Sequence, residues 1–323
     1  MSLLLRSLFI LSMLLLCISC GPRLLPKAVP IDICPDCPQS LVSPAARFGI
    51  FSPALFVNYR AEISRLSDTL GIRPGYLLWF MQIDDPFPQN LAQYCDSMGI
   101  SLVISLNLKS LRLNSTRNDT LLQEIVQGIW DDTLRSFARL AHTFGKTVYL
   151  RFGYEMNGNW FEWGEKRGVF TTAWRHAHDI FGQEQALNVR WVFSPAALWD
   201  NKTMSADFLP YYPGDSLVDI IGLDGYNFGD NYDRYHYWQD FASIFIETYG
   251  RLRQFNKPLW VCETGAPSDS RRAQWLREMF AYLDNNQCLE AVFWFNAYKT
   301  GEPDFRLESD SASLNVVRQW LKY

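Results

Sequence analysis

Glu155 lies in the run RFGYEMNGNWFEW at 151–163, and Glu263 lies in WVCETGAP at 260–267. Each follows a short apolar stretch rich in β-branched and aromatic residues, so each is expected at the C-terminal end of a β-strand. Side chains alternate along a strand, which puts Tyr149, Arg151, Gly153 and Glu155 on one face and turns Leu150 and Phe152 the other way. The same parity groups Leu259 and Val261 with Glu263, groups Ile220, Gly222 and Asp224 with Tyr226, and pairs Trp294 with Asn296. Two carboxylates with unlike neighbours can cleave a glycosidic bond. One stays protonated and gives its proton to the leaving oxygen; the other is ionised and attacks the anomeric carbon. Arg151 and the Tyr226 hydroxyl would keep the attacking carboxylate ionised, while burial would keep the other protonated. The plainer reading is an Arg–Glu pair that only caps strands.

The elements that must position these residues alternate strictly. Candidate strands fall at 47–51, 76–80, 101–106, 147–152, 190–193, 218–223, 259–262 and 291–295. Helical patterns fall between them at 59–70, 91–98, 121–144, 171–187, 237–255 and 270–286, with a last one at 314–321. The crossover at 206–212 is the weakest of the set. Eight strands alternating with helices indicate an α/β fold, a single (β/α)8 TIM barrel over residues 46–323, whose reacting groups gather at the C-terminal ends of the strands.

Composition narrows the alternatives. Thirty basic residues against 34 acidic ones give a net charge of −4, with no basic stripe, so no nucleic-acid partner is expected. No GxGxxG opens a helix, and GxxxxGK[ST], HExxH and GxSxG are all missing, so dinucleotide, nucleotide, zinc-hydrolase and serine-hydrolase chemistry lack support. No cofactor and no metal site are implied. Residues 1–19 carry one basic residue and then LFILSMLLLCIS, the pattern of an export signal. Cys20, in the order Cys17-Ile18-Ser19-Cys20, resembles the lipidated cysteine of a bacterial lipoprotein. Residues 20–45 would then form a Pro-rich tether, and the protein would be exported and held to a membrane by a lipid on Cys20, at the outer membrane in a Gram-negative host. Cys34 and Cys37 suit a short-loop disulfide in that tether, whereas Cys95, Cys262 and Cys288 are expected as buried thiols.

The motifs at 151–163 and 260–267, with DIIGLDGYNF at 219–228, resemble those of glycoside hydrolase family 26, a retaining (β/α)8 family. That resemblance implies Glu155 as acid/base and Glu263 as nucleophile. It also implies Trp160 as an aromatic shaping the sugar site, and Asp224 and Tyr226 as a pair in which Tyr226 contacts the nucleophile. Arg151, Tyr154 and Trp294 complete the expected substrate-binding set. The implied substrates are β-linked polysaccharides, chiefly β-1,4-mannan, with mixed-linkage β-glucan and β-1,3-xylan as alternatives. A glycan-binding lipoprotein that captures without cutting is the rival from another class. One position departs from the family pattern: Tyr154 stands where a His usually precedes the acid/base, and offers only a neutral hydroxyl.

Overall fold

The computed structural model describes residues 43–198, 207–230, 237–286 and 288–323. The signal segment, Cys20, Cys34, Cys37 and most of the tether lie outside them. Eight strands form one closed parallel barrel in sequence order: β1 (Phe48–Phe51), β2 (Tyr76–Gln82), β3 (Ser101–Asn107), β4 (Val148–Phe152), β5 (Val189–Phe193), β6 (Ile220–Asp224), β7 (Leu259–Thr264) and β8 (Leu289–Phe295). β8 returns to β1 with Gly49 opposite Phe293. A Cβ on Gly49 would lie 2.2 Å from the Phe293 ring, so closure here depends on glycine. The helices are α1 (Leu55–Leu70), α2 (Gln89–Ser97), α3 (Ser115–Asp119), α4 (Leu121–Val126), α5 (Asp131–Phe144), α6 (Arg167–Gln183), α7 (Phe241–Leu252), α8 (Arg272–Asn285) and α9 (Ser311–Trp320).

The strands read as nearly unbroken apolar runs because both of their faces are covered. Towards the N-terminal end of the barrel, Tyr76, Tyr149, Trp260 and Phe293 fill the interior, with ring centroids 4.7–5.5 Å apart for Tyr149–Trp260, Tyr76–Trp260, Tyr76–Phe293 and Trp260–Phe293. Phe152 points outward, onto Trp174 of α6 and Trp191. The barrel is thus a packed core, and the functional layer sits above this aromatic plug.

Three expectations need correction. The single helix at 121–144 is broken into α4 and α5, because Gly128 adopts φ +80° and ends α4. The Gly128 and Ile129 amides donate to Ile125 and Glu124 carbonyls, and Asp131 and Asp132 then open α5. The crossover at 206–212 holds, among its described residues, only the 3-10 turn Leu209–Tyr211; Pro210 and Pro213 remove the amides a helix would use. Cys95 and Cys262 are buried free thiols, but Cys288 is disulfide-bonded.

Candidate active site

Arg151, at the C-terminal end of β4, organises the barrel mouth. It is fully buried, and its guanidinium donates to Ser105 Oγ (2.7 Å), Glu263 Oε1 (2.6 Å), Ser194 Oγ (3.1 Å) and Asp224 Oδ2. Burial opposes its charge, but the carboxylates of Asp224 and Glu263 outweigh that and hold the guanidinium firmly protonated. Asp224 also accepts from Ser194 Oγ at 3.1 Å. Its burial, with Glu263 and Glu155 nearby, pushes its carboxyl above the ordinary range, while Arg151 opposes that rise. On the far side of Glu263, the Tyr226 hydroxyl donates to Oε2 at 2.6 Å. Burial first, and then the Glu263 charge, raises the Tyr226 hydroxyl well above its usual value, so it serves as a neutral donor.

Glu263 does not reach this position by the expected alternation. Trp260 already faces the barrel interior, so simple parity would send Glu263 outward. The β6–β7 register pairs Leu223 with Val261 and then Asp224 with Glu263, leaving Cys262 as the extra residue of a bulge. That irregularity returns Glu263 to the inside, as bulges beside active sites do. β6 follows the expected pattern. Gly222 leaves room for Ser194 Oγ and Cys262 Sγ, which a Cβ would meet at 2.6 and 2.8 Å.

Glu155 lies across the same cleft, in a different environment. It has φ +51°, a left-handed conformation that a side-chain-bearing residue adopts only when its neighbours impose it. Its amide donates to the Ser194 carbonyl at 2.7 Å, and its carbonyl accepts from Gly158. Asn157 ties this loop to the segment following β5 by exchanging two hydrogen bonds with the Ala196 backbone, at 3.0 and 2.8 Å. Trp160 Nε1 donates to Glu155 Oε2 at 2.5 Å. Burial, followed by the Glu263 charge, pushes the Glu155 carboxyl up to about 8, with Trp160, Arg151 and Lys299 pulling the other way. The site therefore holds one carboxyl protonated at neutral pH beside one that is ion-paired to an arginine.

The cleft has a volume of about 670 Å³. Of the sequence-predicted residues, Glu155, Glu263, Tyr154, Trp160, Asp224 and Tyr226 line it, and Arg151 lies directly beneath. Tyr154 is almost fully buried. Its hydroxyl donates to Asn107 Oδ1 at 2.8 Å, and the Arg151 guanidinium lies 4.7 Å from its ring centroid. Trp294 does not belong here: it is fully buried on the helix side, with Nε1 bonded to the Phe305 carbonyl and its ring against Trp275 of α8. Its neighbour Phe295 lines the cleft instead, as Phe80 does beside the outward-facing Trp79. Phe51, Phe80 and Phe295 form the floor, with Phe51 4.8 Å from each of the other two rings. Lys299 and Tyr298 were also missed; they follow β8 in AVFWFNAYK, and only the parity of β8 could have pointed to that loop. Asp84 and Asp85 serve local structure, accepting from Ser110 Oγ and the Gln82 amide. His236 lies outside the described residues.

A closed (β/α)8 barrel with paired, unlike carboxylates at its C-terminal mouth defines a class suited to acid/base-assisted displacement at a carbon centre. Sequence comparison shows what the barrel is similar to. The model described as Glycosyl hydrolase family 26 matches residues 123–250, and one described as Glycosyl hydrolase catalytic core matches residues 230–321. Residues 123–250 are therefore similar to glycosyl hydrolase family 26. The chain is 32% identical over 206 residues to endoglucanase H of Acetivibrio thermocellus, an alignment covering 61% of this chain and 22% of that protein. It is 33% identical over 133 residues to mannan endo-1,4-beta-mannosidase A and B of Caldalkalibacillus mannanilyticus, covering 38% of this chain and 22% of that protein. The chain thus spans about a fifth of the length of these two relatives. Among solved structures, a GH26 beta-mannanase from Bacteroides ovatus superposes with a TM-score of 0.61 at 18% identity, over 84% of this chain and 87% of that one. The catalytic domain of a Bacillus sp. JAMB-750 GH26 endo-beta-1,4-mannanase gives 0.63 at 18% identity, over 85% of each. At these identities the two structures speak to the fold alone.

Proposed function

We propose that this protein is a retaining endo-β-glycanase in which Glu155 is the acid/base and Glu263 the nucleophile. The observation that carries this reading is the unlike state of the two carboxyls, one pushed up to about 8 and the other ion-paired to Arg151. In the first step Glu155 gives its proton to the glycosidic oxygen as a Glu263 oxygen bonds to the anomeric carbon, and the bond to the leaving sugar breaks. In the second step Glu155, now ionised, takes a proton from water, and that water displaces Glu263. Arg151 and Tyr226 fix the carboxylate in position and stabilise it when it departs. Endo action fits a second concavity of about 480 Å³, which shares Phe228, Tyr298 and Glu302 with the first and leaves room for a continuing chain.

β-1,4-Mannan is the first substrate to test, since several relatives carry a mannanase name. β-Glucan is the second, supported by the endoglucanase match and by the neutral Tyr154 hydroxyl beside the acid/base. Product analysis on mannan, galactomannan, mixed-linkage β-glucan and β-1,3- and β-1,4-xylan decides, with Glu263→Ala as control. We expect oligosaccharides from one polymer and none in the control; near-normal turnover by Glu263→Ala sinks the assignment. A polymer bound but left uncut would favour the glycan-binding reading. We further propose that Cys20 carries the lipid that holds the exported protein at a membrane. Cys20→Ser expressed in a bacterial host should move the protein from the membrane fraction to the soluble one; unchanged partition refutes the anchor.

A further inference from the structure

The entry to α1 puts apolar side chains where a solvent-exposed turn would ordinarily place polar ones. Asn58 is not helical (φ −155°, ψ 90°), and its Oδ1 accepts from the Ala61 amide at 3.2 Å, so the regular helix starts there behind an asparagine cap. Residues 53–57 form a separate turn ahead of that cap, at the rim of the cleft. Leu55 is buried and anchors the turn, while Phe56 is 50% exposed and Val57 88%. The Phe56 ring is nonetheless held in place: it lies 4.7 Å from Trp79 and 5.9 Å from Phe51. Phe51 lies 4.8 Å from Phe295, which in turn lies 5.8 Å from Tyr226, the hydroxyl donor to Glu263. An unbroken aromatic track therefore runs from the nucleophile to an exposed ring at the rim, and both Phe56 and Pro53 line the cleft.

We propose that Phe56, backed by Trp79, is a stacking platform for a sugar residue remote from the cleaved bond, so that the polysaccharide leaves the cleft across the β1–α1 turn. This rests on the glycanase reading above. Each face of a pyranose ring carries axial C–H groups that pack against an aromatic face, whereas its hydroxyls point outward to water. A half-exposed ring braced from behind suits that contact, and exposing it otherwise has no return. Pro53 and the Asn58 cap fix the turn, so little ordering entropy opposes binding.

The test measures binding, so that it does not depend on turnover. In the Glu263→Gln background, cello-, manno-, mixed-linkage gluco-, and β-1,3- and β-1,4-xylo-oligosaccharides of two to six sugars are titrated by calorimetry with Phe56, Phe56→Ala and Phe56→Tyr. For the sugar series that binds, affinity should rise with chain length, and Phe56→Ala should lose roughly tenfold for the longest member while leaving the disaccharide within about twofold. Phe56→Tyr, which keeps the ring, should retain the length dependence. Loss of equal size at every length, no loss at any length, or the same loss in Phe56→Tyr as in Phe56→Ala overturns the platform. Failure of every series to bind at every length overturns the glycanase reading itself, and the platform with it.

Discussion

Glu155 and Glu263 are the same residue type in opposite surroundings, and the proposed division of labour between them rests on that difference. Glu263 accepts from Arg151 and Tyr226, one partner per oxygen. Glu155 has Trp160 as its hydrogen-bond donor, in a buried cleft beside another carboxylate, which pushes it up to about 8. Since a solvated glutamate titrates near 4.5, the native state binds a proton at Glu155 that the unfolded chain releases between those two values. Stability is therefore lost as pH rises through this window and levels off above about 8. Replacing Glu155 with Gln removes that dependence. The expected outcome is that Glu155→Gln gains stability relative to the unsubstituted protein as pH is raised from 4.5 to 8.5, with the two converging at the acid end. Thermal melts across that range measure it, and parallel curves refute it. The same group should set the alkaline limb of kcat near pH 8. Its loss should cost about 10²–10⁴-fold on a poor leaving group and much less on an activated one, which needs no proton.

The strands and their order were legible at the level of elements because a parallel barrel buries both strand faces. Eight apolar runs separated by helical periods have few other ways to close. Arg151, Asp224 and Tyr226 were legible for the same reason, but beyond β4 the left-handed Gly153 and Glu155 break the alternation, so that the adjacent Tyr154 and Glu155 both line the cleft. The alternation also fails on β7, where the Cys262 bulge shifts the parity. Glu263 was recognised through its motif, whereas the parity offered for it was wrong, since Trp260 and not Val261 shares its side. Trp294 illustrates the opposite error. An indole near a strand end was assigned to sugar binding by type, but the Phe293 ring fills the interior and sends Trp294 to the helices. The break between α4 and α5 was hidden because the apolar period carries on across it, and only the φ of Gly128 reveals the cap. None of the aromatic floor could be read in advance, since Phe51, Phe80 and Phe295 meet only when β1, β2 and β8 close.

At the scale of the whole molecule, closure and chemistry depend on one side chain. The Arg151 guanidinium reaches Ser105 on β3, Ser194 just beyond β5, Asp224 on β6 and Glu263 on β7. With its own β4 it therefore joins five successive staves of the barrel at a fully buried point. Such a network contributes less to net stability than its bond count suggests, because three charges were taken out of water to form it. Removing its centre is a different matter. Arg151→Met retains much of the volume but leaves Asp224 and Glu263 buried without their counter-charge, and breaking a buried pair in this way costs about 3–5 kcal/mol. The orphaned carboxyls can recover part of that by holding protons, which shifts both upward relative to the unfolded chain. Each then favours the native state at low pH and penalises it as pH rises. The deficit of Arg151→Met in denaturant melts should therefore be large at pH 8 and clearly smaller at pH 5, with activity lost at both. A deficit that does not change between the two pH values would mean that Arg151 acts in the barrel as packing and not as charge.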